Sequence, residues 1–341
     1  MKDNKTYTNP VMTGFHPDPS IIRVGDDYYM ANSTFQYFPA IAISHSKDLV
    51  HWHIIGHGIT ENDGLDLSEI KDSHGIWAPD LSYHDGTFYI FATFRLNEPT
   101  MINGKKLIRR QIMIKSDRPE GPYTKPVFID EGSGIDPSHF VDDDGKHYML
   151  LSPACTLFPL NDECTEITGT PSLIWEGTGR RAPEGPHLLK TNGYYYAILA
   201  EGGTGYSHSI TIARSNHLYG PYEPCPHNPI LTQADPDAVL QRAGHGKLVK
   251  TQNGEWWAVY LCGRPNEGNF TTSAEKPPWT PCNGEKTIGL SLTIYTVRAR
   301  SRPPRTFRKS NGRKRISMIF LMIRLIYSGS LSGIQTIPAG L

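Results

Sequence analysis

The sequence predicts an all-β fold, a five-bladed β-propeller, and three observations carry that expectation. First, five hairpin turns recur: Gly25-Asp26-Asp27-Tyr28-Tyr29, His84-Asp85-Gly86-Thr87-Phe88-Tyr89, Asp143-Asp144-Gly145-Lys146-His147-Tyr148, Thr191-Asn192-Gly193-Tyr194-Tyr195 and Gln252-Asn253-Gly254-Glu255-Trp256-Trp257. Asp-Gly or Asn-Gly supplies the positive backbone angles of a tight turn, and the aromatic and β-branched flanks favour strands on either side. Second, the turns fall roughly 50–60 residues apart, a period suited to radial repeats because one four-stranded unit cannot bury both of its faces alone. Third, 341 residues with 32 glycines, 27 prolines and 38% hydrophobic content describe a chain with a large core and many turns.

In a propeller the first strand of each blade lines a central channel, so equivalent positions of successive repeats converge there. Counting back nine residues from Asp27, Gly145, Gly193 and Gly254 reaches Asp18, Asp136, Glu184 and His245. The second turn departs from the count, since Asp80 precedes Gly86 by six. Taken singly, each residue also reads as a turn-associated polar group that satisfies nearby backbone, as Asp before Pro often does. Four coincident positions favour one pocket holding three carboxylates and an imidazole.

Those residues lie in motifs that carry a family resemblance. Asn9-Pro10-Val11 through Gly14-Phe15-His16-Pro17-Asp18-Pro19-Ser20 resembles the opening of glycoside hydrolase family 43, the β-xylosidase and α-L-arabinofuranosidase family. Further similarities follow in order: Ser33-Thr34-Phe35-Gln36-Tyr37-Phe38-Pro39, His45-Ser46-Lys47-Asp48-Leu49-Val50-His51-Trp52, Trp77-Ala78-Pro79-Asp80, Gly134-Ile135-Asp136-Pro137-Ser138, Pro183-Glu184-Gly185-Pro186-His187 and Gly244-His245-Gly246. The expected catalytic propeller domain spans residues 8–272.

The resemblance implies an inverting, exo-acting glycosidase that removes single pentoses from xylo- or arabino-oligosaccharides. Such a reaction needs one carboxylic acid to protonate the leaving oxygen and one carboxylate to activate water. By carry-over, Asp18 is the general base, Glu184 the general acid and Asp136 the third carboxylate, which keeps the acid protonated and oriented. Phe35, Trp77 and Asp80 are assigned to substrate binding; for the aromatics, blade packing is the other reading. His245 is placed at the channel floor, where the family often holds a water-coordinated calcium or other divalent ion; a buried, hydrogen-bonded imidazole is the alternative. No nucleotide or redox cofactor is required. A non-catalytic carbohydrate-binding propeller would tolerate loss of the acids, so their joint retention favours catalysis.

The N-terminal Met1-Lys2-Asp3-Asn4-Lys5-Thr6 has no apolar run, and the five cysteines form an odd set without a Cys-x-x-Cys pair. Both features point to a cytoplasmic protein with free thiols. The formal net charge of zero conceals a break: residues 1–272 carry 22 Lys+Arg against 32 Asp+Glu, and residues 273–341 carry 12 against 2. A basic stretch of this kind can bind nucleic acid or an anionic surface. Ile316 to Ile323 is too short to cross a membrane and is soon followed by Arg324.

A third reading accounts for more of the tail. Family members continue after a Cys262-Gly263-Arg264-Pro265-like segment with a strand bearing G-R-E-T-A-L and then a separate β-sandwich, and neither is present in frame. Read from the third base of Ser273, the codons permitted through Trp279 include G-R-E-T-A-L. The expectation is therefore an aberrant, poorly ordered, out-of-frame tail over 273–341, with neither nucleic-acid nor membrane partners. The fifth blade would then lack closing strands and the pocket an arginine, and the chain would be weakly active or a damaged, inactive family member.

Overall fold

The computed structural model describes residues 10–61, 65–129, 134–238 and 240–264, together with the backbone of residues 295–298. The first sheet is an antiparallel meander of β1 (Ser20–Val24), β2 (Asp27–Asn32), β3 (Ala40–Ser46) and β4 (His53–Ile59). The second repeats it with β5 (Gly75–His84), β6 (Thr87–Ile102), β7 (Lys105–Ser116) and β8 (Val127–Ile129). The third holds β9 (Ser138–Val141), β10 (His147–Leu151), β11 (Cys155–Pro159) and β12 (Ser172–Trp175). The fourth holds β13 (Glu184–Thr191), β14 (Tyr194–Glu201) and β15 (Ser209–Ser215), whose far side pairs with β16 (Glu223–Pro224) and β17 (Leu231–Thr232). Last come β18 (Gln241–Lys250), β19 (Trp256–Gly263) and β20 (Tyr295–Arg298).

The count of complete blades corrects the sequence expectation. Among the described residues four sheets reach four or more strands, so this is a four-bladed β-propeller in complete blades and not a five-bladed one; the remaining described strands form a three-stranded sheet, β18-β19-β20. The β18–β19 hairpin gains one further neighbour, when Tyr295 to Arg298 pair antiparallel with Tyr260 to Trp257. Those four residues fall inside the segment expected to be a poorly ordered tail. The rest of 273–341, including the shifted-frame stretch after Ser273 where the missing pocket arginine is expected, lies outside the described residues.

The hairpin expectation is met strand by strand, because each of the five turns joins the first two strands of its sheet. Asp85 and Gly86, like Asn192 and Gly193, have positive φ at both central positions, the geometry whose twist matches the flanking strands. Strand alternation then supplies the interfaces between sheets. Trp256 packs with Ile198, Ile210 and Ile212 of the fourth sheet, while its neighbour Trp257 packs with Ile21, Tyr28 and Met30 of the first. Ile41 and Ile43 meet Ile90 and Ile112 between the first two sheets, Phe91 and Met113 meet Met149 and Leu151 between the next two, and Leu150 and Leu157 meet Ala197 and Leu199 between the third and fourth. The last sheet thus seals the ring against the first.

A buried polar junction ties the inner strands together. Asp80 on β5 is 1% exposed. Its Oδ1 accepts from Ser20 Oγ of β1 at 2.8 Å and from Lys247 Nζ of β18 at 2.5 Å, and its Oδ2 accepts from the backbone N–H of His139 on β9 at 2.9 Å. His187 of β13 brings Nδ1 to 3.5 Å. Burial alone would raise the Asp80 pKa, but the Lys247 ammonium and these donors outweigh it and hold the carboxyl below its ordinary value. Removing one partner of a buried pair strands the other charge. Asp80→Asn should therefore cost about 3–5 kcal/mol, and Asp80→Asn combined with Lys247→Met should recover part of that loss in urea denaturation. A single variant as stable as the parent would show that the junction is not holding the ring.

Candidate active site

The residues reached by counting nine back from each turn occupy the places where the inner strands break their ladders. Asp18 and Asp136 sit two residues ahead of β1 and β9, with φ of 49° and 58°. Glu184 opens β13 at a register shift between Glu184 and His187, and the next residue, Gly185, has φ 57°. His245, at φ 40°, lies inside the shifted stretch of β18. Left-handed backbone is costly for a residue with a Cβ, so three such residues in equivalent positions are held there by their surroundings. The same count from Gly86 gives Trp77, inside the register shift between Ile76 and Pro79 of β5.

Each acid has its own support. The Pro17 carbonyl accepts from the Ser33 N–H at 3.2 Å and from Asn32 Nδ2 at 2.9 Å, and Ser33 Oγ donates to Asp18 Oδ2 at 2.7 Å. The Asp136 N–H donates to Thr93 Oγ1 at 3.1 Å; Thr93 in turn donates to Gln111 Oε1, and Gln111 Nε2 donates to the Gly134 carbonyl. The segment carrying Glu184 is pinned to the third sheet at three points. Ala154 N–H donates to the Pro183 carbonyl at 2.9 Å, Gly185 N–H to Asp136 Oδ2 at 3.0 Å, and Ser138 Oγ to the Pro186 carbonyl at 2.5 Å. The backbone hydrogen bond from Gly185 thus locks the acid segment to its neighbouring carboxylate.

The electrostatics of the group follow from burial and crowding. Burial, and then the Asp18 charge, push the Asp136 carboxyl above the ordinary range. Burial, and then Asp136, do the same for Glu184, with Asp18 adding to the effect and His245 and Arg181 opposing it. Two carboxyls in this relation favour sharing a proton over carrying two charges. The Gly185 N–H stabilises the charge on Asp136 Oδ2, whereas no hydrogen bond reaches the Glu184 carboxyl among the described residues. Crowding thus leaves both carboxyls above the ordinary carboxylate range.

His245 brings Nδ1 to 3.5 Å from Asp18 Oδ1, and its ring covers Gly185, where an added Cβ would stand 2.8 Å from Nε2. Among the described residues no third His, Cys, Asp or Glu ligand atom lies close enough to these two to complete a set for a metal. The described residues therefore supply no set of three direct ligands at His245, where the sequence expectation is of an ion held through water.

Phe35 and Trp77 are brought to one seam. Phe35 and Ile76 exchange two backbone hydrogen bonds of 2.9 Å between the first and second sheets, which puts Phe35 beside the strand residue that precedes Trp77. Phe15 contacts both Phe35 and Tyr37, with ring centroids 5.7 Å apart in each case. The Trp77 indole N–H is held by the Ser73 carbonyl at 2.9 Å. Asp80 is the one substrate-binding expectation the structure moves elsewhere: it is enclosed in the junction between strands, where its oxygens are already engaged. Sequence reasoning missed Ser33, Thr93 and Gly185, because their contacts to the acids come from turns and strands brought together only by the fold. It also missed a buried group of His139, His147 and Cys164 between the second and third sheets.

An all-β propeller with three carboxylates crowded at one end of its inner strands defines the class of carboxylate-dependent glycosidases. The chain belongs to the glycosyl hydrolases family 43, whose family model matches residues 7–281. It is 45% identical over 279 residues to a xylan 1,3-beta-xylosidase of a Vibrio species, covering 78% of this chain and 51% of that one. A non-reducing end alpha-L-arabinofuranosidase of Bacteroides ovatus is 42% identical over 273 residues, covering 78% and 49%. Among solved structures, the GH43 protein BlXynB of Bacillus licheniformis is 78% identical with a TM-score of 0.80, over 86% of this chain and 54% of that one. The chain spans about half the length of the curated relatives it matches.

A raised folded-state pKa makes a prediction about stability. A carboxyl whose pKa is raised in the folded state contributes stability below its unfolded value, near 4.5, and loses it as pH rises toward about 7, the folded value for Glu184. Glu184→Gln carries no charge at any pH and escapes that loss. It should match the parent at about pH 4 and exceed it by roughly 1–3 kcal/mol at about pH 8 in urea denaturation. An advantage that stays constant with pH would mean that the Glu184 carboxyl is not held in its protonated form.

Proposed function

We propose that the chain is an exo-acting glycoside hydrolase that releases terminal β-D-xylose or α-L-arabinofuranose from short oligosaccharides. The observation that carries this reading is the Asp136–Glu184 pair, two buried carboxyls both held above the ordinary range, beside an Asp18 that accepts a hydrogen bond from Ser33. In this reading Glu184 protonates the glycosidic oxygen as the bond breaks. Asp18 takes a proton from the water that attacks the anomeric carbon from the opposite side, and configuration inverts. Asp136 bears the negative charge that keeps Glu184 protonated. Phe35 and Trp77 hold the apolar face of the pentose. Both sugars are named because relatives of similar identity carry xylosidase and arabinofuranosidase names.

We further place the enzyme in the cytoplasm, acting on imported oligosaccharides. The four described cysteines, Cys155, Cys164, Cys225 and Cys262, are all free. Among the described residues no helix is long and apolar enough to cross a membrane.

The test is nitrophenol release from the β-D-xyloside and the α-L-arabinofuranoside. The alkaline limb of kcat/KM, set by loss of the acid's proton, should disappear in Glu184→Gln. That variant should lose most activity on substrates with poor leaving groups and least on activated ones, by a difference of about 100-fold or more. Asp18→Asn should depress every substrate alike. Equal losses on good and poor leaving groups in Glu184→Gln would remove it from the role of acid, and turnover by the parent no greater than by Asp18→Asn on both sugars would sink the enzymatic reading.

A further inference from the structure

The group of His139, His147 and Cys164 lies outside the acid site and takes no part in the proposed reaction. His139 is on β9 and His147 on β10, joined by the third turn, and Cys164 is on the loop that follows β11. In the β9–β10 register His139 faces Met149 and His147 faces Val141, so the two imidazoles are diagonal neighbours on one face of the sheet. Their rings stack with centroids 5.1 Å apart and planes inclined by 16°. The loop after β11 folds back to bring the Cys164 thiol onto that face. All three residues are buried, at 7%, 7% and 0% exposure.

Three atoms with lone pairs converge there. His139 Nε2 and His147 Nδ1 are 2.9 Å apart, His147 Nδ1 and Cys164 Sγ 3.1 Å, and His139 Nε2 and Cys164 Sγ 3.7 Å. A point equidistant from the corners of that triangle lies roughly 2 Å from each, close to the ~2.0–2.1 Å of a zinc–nitrogen bond and the ~2.3 Å of a zinc–sulfur bond. The other nitrogen of His139 is already held: Nδ1 lies 2.7 Å from Ser82 Oγ on β5. A hydroxyl accepting from Nδ1–H leaves the Nε2 lone pair aimed at the group, the outer-shell arrangement usual for histidine ligands.

We propose that His139, His147 and Cys164 form a site for a borderline-soft divalent ion of the zinc type, which staples the loop after β11 to the inner hairpin of the third sheet. Two imidazole nitrogens and a sulfur suit zinc or cobalt and not the hard, oxygen-seeking calcium or magnesium. Water or His84, whose ring stands edge-on to His147 at 5.5 Å between centroids, completes the tetrahedron. The ion would lock a face that packs against the second sheet, where Phe91 stacks on His139 at 5.1 Å and Tyr89 borders both imidazoles. An ion that binds only the folded chain raises the melting temperature in proportion to the logarithm of its concentration over Kd.

Cobalt(II) is the direct probe, because thiolate ligation and tetrahedral geometry give it distinct absorption. The full chain, stripped of metal with a chelator and titrated with cobalt(II), should develop a sulfur-to-cobalt charge-transfer band and tetrahedral visible bands, saturating at one ion per chain. Zinc(II) should bleach them, and its addition should raise Tm. Cys164→Ser should abolish the charge-transfer band, and His147→Gln should weaken binding at least tenfold. Cys225→Ser, a half-buried thiol elsewhere, should change neither. If cobalt gives no such band, or if the band survives Cys164→Ser, the triad is a hydrogen-bonded cluster only and the proposal fails. Should Cys164→Ser not fold, His147→Gln with a band of undiminished affinity would overturn it equally.

Discussion

The fold rests on one buried ion pair. Asp80 and Lys247 belong to the second and last sheets, and with Ser20, the His139 amide and His187 they join the inner strands of all five sheets at one point. Apolar packing between sheets is abundant, but it is pairwise: each core group binds one sheet to the next. The Asp80 carboxylate, by contrast, contacts four sheets besides its own. A desolvated charge is costly unless its partners are placed correctly, so the junction favours one relative arrangement of the strands over others of similar apolar burial. That arrangement sets where the acids stand, because Ser20, Asp80, His187 and Lys247 each follow a site residue by two or three positions on the same strand.

The acid chemistry is a consequence of that crowding. Asp136 and Glu184 are carried on separate sheets, yet the Gly185 N–H that donates to Asp136 belongs to the residue after Glu184. Any shift of the fourth sheet against the third would break that bond and let the carboxyls separate or solvate. Their raised pKa values come first from burial and only then from a neighbouring charge, Asp18 for Asp136 and Asp136 for Glu184, so the ring's closure matters as much as the identity of the neighbours. Gly185 serves both requirements. It takes a left-handed backbone and lets the His245 ring lie directly over it, which a Cβ would prevent.

Much of this was legible because the informative signals are local. Asp85-Gly86 and Asn192-Gly193 specify their turns by backbone preference alone, and a fixed distance from turn to channel end carries the site positions with it. The same count from Gly86 lands on Trp77, which family resemblance and not the count assigned to substrate binding, because indole is no general acid or base at ordinary pH. Asp80 was misplaced for a tertiary reason: it stands three residues from Trp77, but the burial that engages its oxygens comes from Lys247, 167 positions away. The incomplete last sheet was half legible. The β18–β19 hairpin has strong signals, whereas nothing in the basic sequence around Tyr295 marks it as the strand that pairs with β19. The His139–His147–Cys164 group needed the β9–β10 register and a returning loop, and no spacing rule encodes that return.

The left-handed residues explain why site and scaffold can be separate layers of the same strands. A regular strand alternates its side chains, so residues two apart share a face, and an acid placed two residues from Ser20 or Lys247 would be drawn into the same buried junction. At Asp18, Asp136 and His245 a positive φ breaks the alternation, and at β13 the register shift and Gly185 do so beside Glu184. Each break takes the site residue out of the alternation that the next few residues resume. Such conformations cost on the order of 1–3 kcal/mol apiece, and here they are over-determined by Ser33, Thr93 and the pinned Pro183–Pro186 segment. Stability is thereby concentrated in the junction and strain in the layer above it, which keeps three carboxylates crowded together without loosening the ring that holds them.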